Sequence, residues 1–409
     1  TALGGGVEGS PLDVYALSAF DDGGGPPLHV GGRFQKAGGV PALHFARWSG
    51  SSWSATSSGM NSSVSDLVVF DDGDGPALYA GGFFEDPGGV TVNFVARWTG
   101  SSWAPLGNGL SGPVAALAAF DDGGGAALHA GGYYSLGVLG LRGYVARWNG
   151  TRWSSVAAEM SNSASNGEVR TLAVFDDGGG PALYAGGAFA VVDGITAINV
   201  ARWNGTSWSR LRNGVSSLST SSVSSLAVFD DGSGPALYAG GSFTTASGTS
   251  ASSVARWNGT NWSALGSGVD DAVNALAVFD DGTGPALYAG GWFTSAGGVG
   301  ASRIARRNGA SWSALGSGMS GRPPNHVGSA SVHALLVHDD GTGPALYAGG
   351  FFGNAGGVAA TCIARWNGTG WSALGRGMTS SVNALTAFVD RSGPALVAGG
   401  DFRLVYDSS

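Results

Sequence analysis

Pairs of aspartates recur along this sequence in the form Asp-Asp-Gly. Seven copies begin at Asp21, Asp71, Asp121, Asp176, Asp230, Asp280 and Asp339. Clustered carboxylates suit a hard cation such as Ca²⁺, which takes roughly six to eight oxygen ligands. The most acidic copy supplies the carboxylates of Asp71, Asp72 and Asp74 and is the candidate calcium site. The alternative, which we favour, is that each aspartate hydrogen-bonds the backbone of its own turn.

One arginine recurs in each repeat and offers these carboxylates a partner. It occurs as Arg47, Arg97, Arg147, Arg202, Arg256, Arg306 and Arg365. We expect each repeat to contain four strands, with this arginine near the end of the third strand, on the same rim as the Asp-Asp-Gly turns. Hydrogen bonds between guanidinium and carboxylate groups are roughly twice as strong as neutral ones. We therefore expect Asp–Arg pairs along that rim, and no cofactor other than the calcium considered above.

Residues suited to catalysis are few and scattered. Four glutamates lie outside the repeat positions and are the candidates for a glycoside hydrolase carboxylate pair, namely Glu8, Glu85, Glu159 and Glu168. His326 and His333 lie in or beside the longest insertion and are the candidate metal-ligating histidines. His29, His129 and His338 replace aromatic residues of the repeat and are expected in the core. Neither a Gly-x-Ser-x-Gly motif nor a phosphate loop occurs. We expect a protein that is not an enzyme.

The composition argues against several classes of partner. The net charge is -8, 12% of the residues are charged, and Lys36 is the only lysine. Neither the basic surface of a nucleic-acid-binding protein nor a polybasic membrane-attracting segment is present. Cys362 is the only cysteine, so no intrachain disulfide forms, and we expect it to be a small buried strand residue. No apolar run of about 18 residues suggests membrane insertion.

The Asp-Asp-Gly turns mark a repeat that runs through the chain. Their spacings are 50, 50, 55, 54, 50 and 59 residues, and an eroded copy, Val389-Asp390-Arg391, follows 50 residues after the last. A fixed period of this size is typical of a propeller or a solenoid. In one copy, alternation and turn residues predict strands over Val273–Phe279, Ala286–Phe293, Ser302–Arg307 and Trp312–Leu315. The Gly290-Gly291 pair indicates a close approach of other atoms.

A tryptophan hairpin closes most repeats. In Trp203-Asn-Gly-Thr-Ser-Trp208 the Asn-Gly dipeptide is a strong signal for a tight β-turn. The two tryptophans then share one face of the hairpin, either directly opposite or diagonal to each other. Four short antiparallel strands in about 50 residues describe a propeller blade. Eight copies predict an all-β, eight-bladed β-propeller that forms a single domain over residues 1–409.

The repeat also resembles known families. Ala239-Gly-Gly-Ser-Phe-Thr, followed by Ser253-Val-Ala-Arg-Trp-Asn-Gly-Thr-Asn-Trp-Ser-Ala-Leu-Gly-Ser-Gly, resembles the repeat of Rax2-type cortical-marker proteins. It is also similar to kelch-like repeats of bacterial secreted proteins, in which a Gly-Gly pair precedes a tryptophan-bearing hairpin. The resemblance covers nearly the whole chain. It implies a propeller that is extracellular or at the cell surface, and it specifies no single function.

The first and last repeats are partial. Thr1-Ala-Leu-Gly-Gly-Gly matches the second half of Trp312-Ser-Ala-Leu-Gly-Ser-Gly, which indicates a mature or trimmed form. We expect the N-terminal strand to close the ring by completing the blade that begins at Val382. After Phe402 the Gly-rich loop is missing, so the alternative is that this blade accepts a strand from a neighbouring molecule. The interface candidates in that case are Thr1, Ala2, Leu3, Leu404, Val405 and Tyr406.

Segments that break the repeat predict a contact face. In a propeller, the loop between strands two and three and the connection between blades lie on one face, and both vary here. One such loop carries an apolar stretch that is unusual for a solvated loop. The residues predicted to form or border the contact face are Leu136, Val138, Leu139, Leu141, Tyr133, Tyr134 and Trp292.

Three functions are consistent with these features. The first is a secreted, non-catalytic structural or interaction propeller that self-assembles into stacks or filaments. The second is a lectin-like binder of extracellular polysaccharide or of a surface protein, and the third is a propeller glycoside hydrolase or lyase. The expected partner is another copy of the chain, or an extracellular protein or glycan. Low lysine with high Ala, Gly and Arg content suggests a GC-rich bacterial genome.

Overall fold

The chain folds into successive antiparallel β-sheets. The computed structural model describes residues 3–21, 27–55, 59–135, 141–161, 167–218, 220–324, 326–390 and 393–402. Within these ranges, seven successive sheets each contain four repeat strands, and an eighth contains two. Sheets 1 to 4 comprise Asp13–Ala19, Leu28–Arg33, Phe45–Trp48 and Trp53–Ala55; Val64–Asp71, Pro76–Gly82, Val95–Trp98 and Trp103–Pro105; Val114–Asp121, Ala126–Ser135, Leu141–Trp148 and Trp153–Ser161; and Glu168–Asp176, Pro181–Ala188, Val200–Trp203 and Trp208–Arg210.

Sheets 5 to 8 continue the same pattern. They comprise Ser222–Asp230, Pro235–Ser242, Val254–Trp257 and Trp262–Ala264; Val273–Asp280, Pro285–Gly291, Ile304–Arg307 and Trp312–Ala314; Ser331–Asp339, Pro344–Phe351, Ile363–Trp366 and Trp371–Ala373; and Val382–Asp390 with Gly393–Gly400. Each sheet is a meander in which consecutive strands pair, as expected for strands joined by tight turns.

Short strands at one face connect neighbouring sheets. Two-residue strands form hairpins within the loops between second and third strands, and several also pair with the connection from the preceding sheet. These elements are Val7–Glu8, Lys36–Ala37, Val40–Pro41, Val191–Val192, Ile195–Thr196, Val215–Ser216, Thr245–Ala246, Thr249–Ser250, Ser295–Ala296, Val299–Gly300, Met319–Ser320, Asn354–Ala355 and Val358–Ala359, together with a 3₁₀ turn at Pro87–Gly89. The sequence pattern did not reveal these hairpins, because two-residue strands give no measurable alternation.

The tryptophan hairpins form as predicted. Trp203 lies directly opposite Trp208, with ring centroids 5.6 Å apart, and the other Trp–Trp hairpins have the same register. The side chain of Asn204 accepts hydrogen bonds from the backbone N–H groups of Thr206 and Ser207, at 3.0 and 2.8 Å. This asparagine turn reverses the chain and thereby fixes the register of the two tryptophans.

The Gly-Gly pairs lie where two layers of backbone meet. A Cβ atom on Gly290 would lie 2.5 Å from Val332 Cγ1 of the next sheet, and one on Gly291 would lie 2.1 Å from the carbonyl oxygen of Ala272. The first type of contact recurs in every sheet, including the last, where Gly399 faces Val14 of sheet 1. The predicted close approach is therefore confirmed, and it sets the packing distance between neighbouring sheets.

Third strands begin later than the pattern predicted. The third strand of sheet 6 starts at Ile304 instead of Ser302, because Arg303 has a φ of 67° and turns the chain out of the extended conformation. Cys362 occupies the same place in sheet 7, with a φ of 64°, so it is fully buried as expected but precedes the strand. The residue type at this place varies among repeats, and its left-handed conformation leaves no signal in the sequence.

Adjacent sheets are joined by a recurrent hydrogen bond. The indole of Trp312 donates to the carbonyl oxygen of Leu265 at 2.7 Å, and that of Trp371 donates to Leu315 at 2.9 Å. The first strand of each sheet also packs against the first strands of its neighbours, and the first strand of sheet 1 packs against that of sheet 8. The first strands therefore form the innermost layer.

The N-terminal segment lies at the junction of sheets 8 and 1. The indole of Trp53 donates to the carbonyl oxygen of Leu3, the same bond that later tryptophans make to the preceding sheet. Val7–Glu8 pairs with Lys36–Ala37 of sheet 1, whereas the described part of sheet 8 contains no strand from the N-terminus. Closure by an N-terminal fourth strand remains a prediction, and Thr1 and Ala2 lie outside the described residues.

Candidate functional site

The Asp-Asp-Gly turns form the predicted ion pairs. The Asp281 carboxylate lies 3.0 Å from Arg306 Nε and accepts a hydrogen bond of 3.0 Å from the hydroxyl of Tyr288. Equivalent Asp–Arg pairs join Arg97 to Asp72, Arg147 to Asp122, Arg202 to Asp177, Arg256 to Asp231 and Arg365 to Asp340. Burial raises the pKa of the repeat tyrosines, to about 12 for Tyr238 and Tyr347. The rim is therefore held by structural Asp–Arg pairs, which a tyrosine hydroxyl joins in five sheets to form Asp–Arg–Tyr triads, whereas His129 replaces the tyrosine in sheet 3.

The candidate calcium turn uses its carboxylates in the same way. Asp71 accepts hydrogen bonds from the N–H groups of Gly73 and Gly75, at 2.9 and 3.0 Å. Asp72 accepts one from the Tyr79 hydroxyl at 2.6 Å and another, at 3.4 Å, from the N–H of Asp74. The described residues contain no group of three or more His, Cys, Asp or Glu side chains arranged to hold a metal.

The histidines and glutamates occupy unrelated places. His29, His129 and His338 are buried as expected, and burial lowers the pKa of His129 to about 4. His326 packs against Phe351, whereas His333 hydrogen-bonds Asn383, so the two imidazoles contact different residues. Glu8 lies in a linking strand, Glu85 in a loop, and Glu159 and Glu168 in sheets 3 and 4. The carboxylate of Glu168 pairs with Arg170 at 2.9 Å.

A belt of varied side chains lies along the innermost layer at the face of the linking hairpins. Its first position is a bulged residue in each first strand, between a buried valine and the next paired residue. Its second position follows each Gly-Gly pair. We call these two sets the belt: Tyr15, Ser65, Ala115, Arg170, Ser224, Asn274, His333 and Asn383, with Arg33, Phe83, Tyr133, Ala188, Ser242, Trp292, Phe351 and Asp401.

Contacts along the belt join sheets 6, 7 and 8, and polar contacts within sheets 8 and 1 continue it. The rings of Trp292 and His333 lie 6.3 Å apart, and His333 Nδ1 lies 3.0 Å from Asn383 Oδ1. The Tyr15 hydroxyl donates to Asp13 at 3.1 Å. Burial, together with the Asp13 carboxylate, raises the pKa of Tyr15, and burial likewise raises the pKa of Asp401 against the hydrogen bond from Ser380. This part of the belt, which we call the first arc and which covers sheets 6, 7, 8 and 1, combines an exposed aromatic ring with fixed polar groups.

A second arc runs from sheet 2 to sheet 5. The rings of Phe83 and Tyr133 lie 6.1 Å apart. Burial and the nearby Glu168 carboxylate raise the pKa of Tyr133. Arg170 donates to Ser222 of the next sheet at 2.9 Å. Phe83 and Trp292 remain 41% and 39% exposed, so each arc presents an aromatic surface to solvent.

The structure describes the side chains of three of the predicted contact residues. Trp292 and Tyr133 lie on the belt, and Leu3 packs into the core of sheet 1. Leu136, Val138 and Leu139 lie outside the described residues, as do Leu404, Val405 and Tyr406, and the side chains of Tyr134 and Leu141 are likewise not described. The sequence analysis missed the bulged first-strand positions. The motif Val-x-x-Leu, whose second residue is of six different types in the eight repeats, carries that signal.

One acidic side chain lies beside the belt in the innermost layer. The Asp66 carboxylate accepts hydrogen bonds from the N–H groups of Leu67 and Leu117, at 2.8 and 2.7 Å. Burial raises the pKa of this carboxyl to about 6, although both hydrogen bonds oppose the change. Most other repeats have alanine here, so the carboxylate is dispensable for the sheet.

We expect Asp66 to make stability depend on pH in an unusual direction. A carboxyl with a raised folded-state pKa binds its proton more tightly when folded, so the free energy of unfolding should fall by about 2 kcal/mol as pH rises from about 4 to about 6. Denaturant titrations across this range should show that Asp66→Ala lacks this component. Ser225→Ala, which alters the same position of sheet 5, should retain it. Equal pH dependence in wild type and Asp66→Ala would contradict the assignment.

Comparison with known proteins defines the class of fold. No protein-family profile matches the sequence, and no curated protein matches it. Among solved structures, Sqt1 of Saccharomyces cerevisiae aligns with a TM-score of 0.52 and 11% identity, over 96% of this chain and 94% of that one. An ancestral GH74 enzyme aligns with a TM-score of 0.42 and 16% identity, over 97% of this chain and 59% of that one. The extracellular domain of the putative hybrid two-component system BT4673 of B. thetaiotaomicron aligns with a TM-score of 0.43 and 13% identity, over 96% of this chain and 56% of that one. At these identities the likeness concerns the fold, and the chain is a β-propeller.

No helix within the described ranges has the length and apolar character needed to cross a lipid bilayer.

Proposed function

We propose that this protein is a non-catalytic binding propeller of the cell exterior, and that it binds a glycan on the belt. The observation that carries the proposal is the distribution of variation. The core, the Asp–Arg pairs and the Gly-Gly pairs recur from sheet to sheet, whereas the sixteen belt positions carry nine different residue types. A repeated scaffold that varies at one solvent-facing set of positions is typical of a binding surface.

The architecture behind this proposal is a closed ring of eight blades. Two facts support it: the first strand of sheet 1 packs against that of sheet 8, and Gly399 faces Val14 as each earlier glycine faces the next sheet. The belt would then surround the mouth of a central channel. Propellers commonly bind ligands at such openings, although the fold itself does not decide which ligand.

A glycan suits the chemistry of the belt. Trp292 offers an exposed ring face, and the neighbouring His333 and Asn383 offer a hydrogen-bonded pair of polar groups. Exposed aromatic rings pack against the apolar faces of sugars, and amide or imidazole groups bind their hydroxyls. The charged groups of the belt are mostly paired within it or with adjacent residues, as in Arg33 with Asp13 and Arg170 with Glu168. Such a surface favours a neutral sugar chain.

An array of immobilised neutral glycans, probed with the purified full chain, tests the proposal. We expect binding to at least one glycan, and at least a tenfold loss of affinity in Trp292→Ala. Val299→Ala removes an exposed side chain of the linking hairpin in the same repeat, outside the belt, and should bind like wild type. Release of new reducing ends would overturn the non-catalytic assignment. Equal affinity of Trp292→Ala and wild type would overturn the belt as the site.

Sedimentation analysis of the same samples separates this function from self-assembly. A monomer at all concentrations, together with glycan binding, supports the proposal. Absence of glycan binding together with a concentration-dependent rise in mass would overturn it in favour of a structural protein that forms stacks or filaments.

A further inference from the structure

A cavity between sheets 4 and 5 combines two arginines with hydroxyl and amide groups. Its volume is about 550 Å³, and it is lined by Arg210, Arg212, Asn213, Ser247, Thr249, Asn261 and Trp262. It lies between the end of the fourth strand of sheet 4 and the linking hairpin of sheet 5. None of these residues belongs to the belt, so the cavity and the belt are separate sites.

Both arginines depart from the repeat. Arg210 stands where other copies have alanine, as at Ala264 and Ala314, and Arg212 stands where they have glycine, as at Gly266 and Gly316. Arg212 has a φ of 55°, a left-handed conformation that favours glycine and is unfavourable for a long side chain. Strained residues of this kind tend to persist at functional sites, where the side chain has a use.

The two guanidinium groups are available to a ligand. The Asp–Arg ion pairs of the described residues include neither arginine. Arg212 uses Nε to donate to the carbonyl oxygen of Thr260 at 2.8 Å, which orients the guanidinium group without neutralising its charge.

The remaining lining groups indicate what accompanies the anion. Ser247 has a φ of 50° at a place where Gly297 and Gly356 occur in other copies, and its hydroxyl accepts a hydrogen bond from the N–H of Asn213 at 3.2 Å. Thr249 and Asn261 add a hydroxyl and an amide. Such groups both donate and accept hydrogen bonds, as sugar hydroxyls require.

We propose that this cavity binds an acidic sugar residue, whose carboxylate or sulfate group is held by Arg210 and Arg212. Guanidinium groups bind such oxyanions through paired, charge-assisted hydrogen bonds. The hydroxyl and amide groups of the cavity bind the hydroxyls of the same sugar. The volume is sufficient for one or two sugar residues.

Calorimetric titration of the full chain with defined probes tests this site. The probes are trigalacturonic acid, a chondroitin sulfate disaccharide, neutral maltotriose and sodium sulfate. We expect at least one acidic sugar to bind at least tenfold more tightly than maltotriose and sodium sulfate, and to bind more weakly as salt rises. Equal affinity for sodium sulfate would reduce the cavity to a simple ion site and overturn the sugar assignment. Equal affinity for maltotriose would overturn the role of the arginines.

Two variants and a control make the test independent of folding. Arg210→Ala and Arg212→Gly should each weaken acidic-sugar binding at least tenfold. Because Arg212→Gly restores the glycine of the repeat, its thermal midpoint should equal or exceed that of wild type. Arg376→Ala removes an exposed arginine at a neighbouring repeat position of sheet 7 and should bind like wild type. Wild-type affinity in both arginine variants, or a lowered midpoint in Arg212→Gly, would overturn the proposal. Trp292→Ala should leave this binding intact, which distinguishes the cavity from the belt.

Discussion

Gly291→Ala should destabilise the protein by about 3 kcal/mol, because the new Cβ atom would lie 2.1 Å from the carbonyl oxygen of Ala272. The obstructing atom belongs to the backbone of an adjacent strand, so no side-chain rotation relieves the contact. Movement of the strand would in turn disturb Val332, which packs against Gly290 in the next sheet. Thermal unfolding monitored by circular dichroism would measure the effect.

Gly300→Ala is the matched control for this variant. Gly300 lies in a linking strand of the same sheet, is exposed, and has no atom within 4 Å of a built Cβ. Its substitution should change the free energy of unfolding by less than about 0.5 kcal/mol. If the two variants unfolded at the same temperature, close packing at the Gly-Gly pair would not be the reason for these glycines.

Asp281→Ala should cost about 2 to 3 kcal/mol of stability at neutral pH, because it leaves Arg306 and Tyr288 without their shared acceptor. The side chains of Asp281 and Arg306 are only 5% and 13% exposed, so solvent replaces the lost contacts poorly. Denaturant titration against Asp271→Ala, an exposed acid in the connection that precedes the same sheet, would measure the difference. Equal losses in the two variants would contradict a structural role for the triad.

The effect of Asp281→Ala should also depend on pH. Although burial opposes it, hydrogen bonds from Thr283 and Tyr288 hold the pKa of the Asp281 carboxyl below its ordinary value. A carboxyl with a lowered folded-state pKa stabilises the fold above its unfolded pKa, near 4, and loses that contribution as pH falls through the folded value. The gap between wild type and Asp281→Ala should therefore narrow below about pH 4. This direction is opposite to that expected for Asp66.

The repeat made much of the fold predictable from sequence. Trp203 and Trp208 could be placed opposite each other because an Asn-Gly turn admits few registers. The Gly290-Gly291 pair indicated close packing because glycine is unfavourable in a strand without such a reason. The Asp–Arg pairs followed from carboxylates and guanidinium groups recurring on one rim. In each case one residue type at a repeated position had one physical explanation.

Other features could not be predicted because their signal lies outside residue type. The left-handed residues before the third strands include Ser253, Arg303 and Cys362, which share no chemistry. The belt was only half predicted: Trp292 and Tyr133 break the repeat visibly, whereas His333 lies within a regular strand pattern. Its exposure at the belt depends on a bulge that shifts the register between Val332 and Ala334. A one-residue bulge shifts the alternation of faces by one residue, but Ala334, Leu335 and Leu336 are all apolar, so the shift is not visible in the sequence.

The glycine contacts between sheets also have a consequence for folding kinetics. Gly290 meets Val332, and each similar contact joins residues 33 to 42 positions apart in the chain, so neighbouring sheets dock through short loop closures. The contact of Gly399 with Val14 is different, because it joins residues near opposite ends of the chain. Closing so long a loop costs the most chain entropy, and long-range contacts form slowly. We therefore expect the seam between sheets 8 and 1 to be the last inter-sheet contact to form during folding.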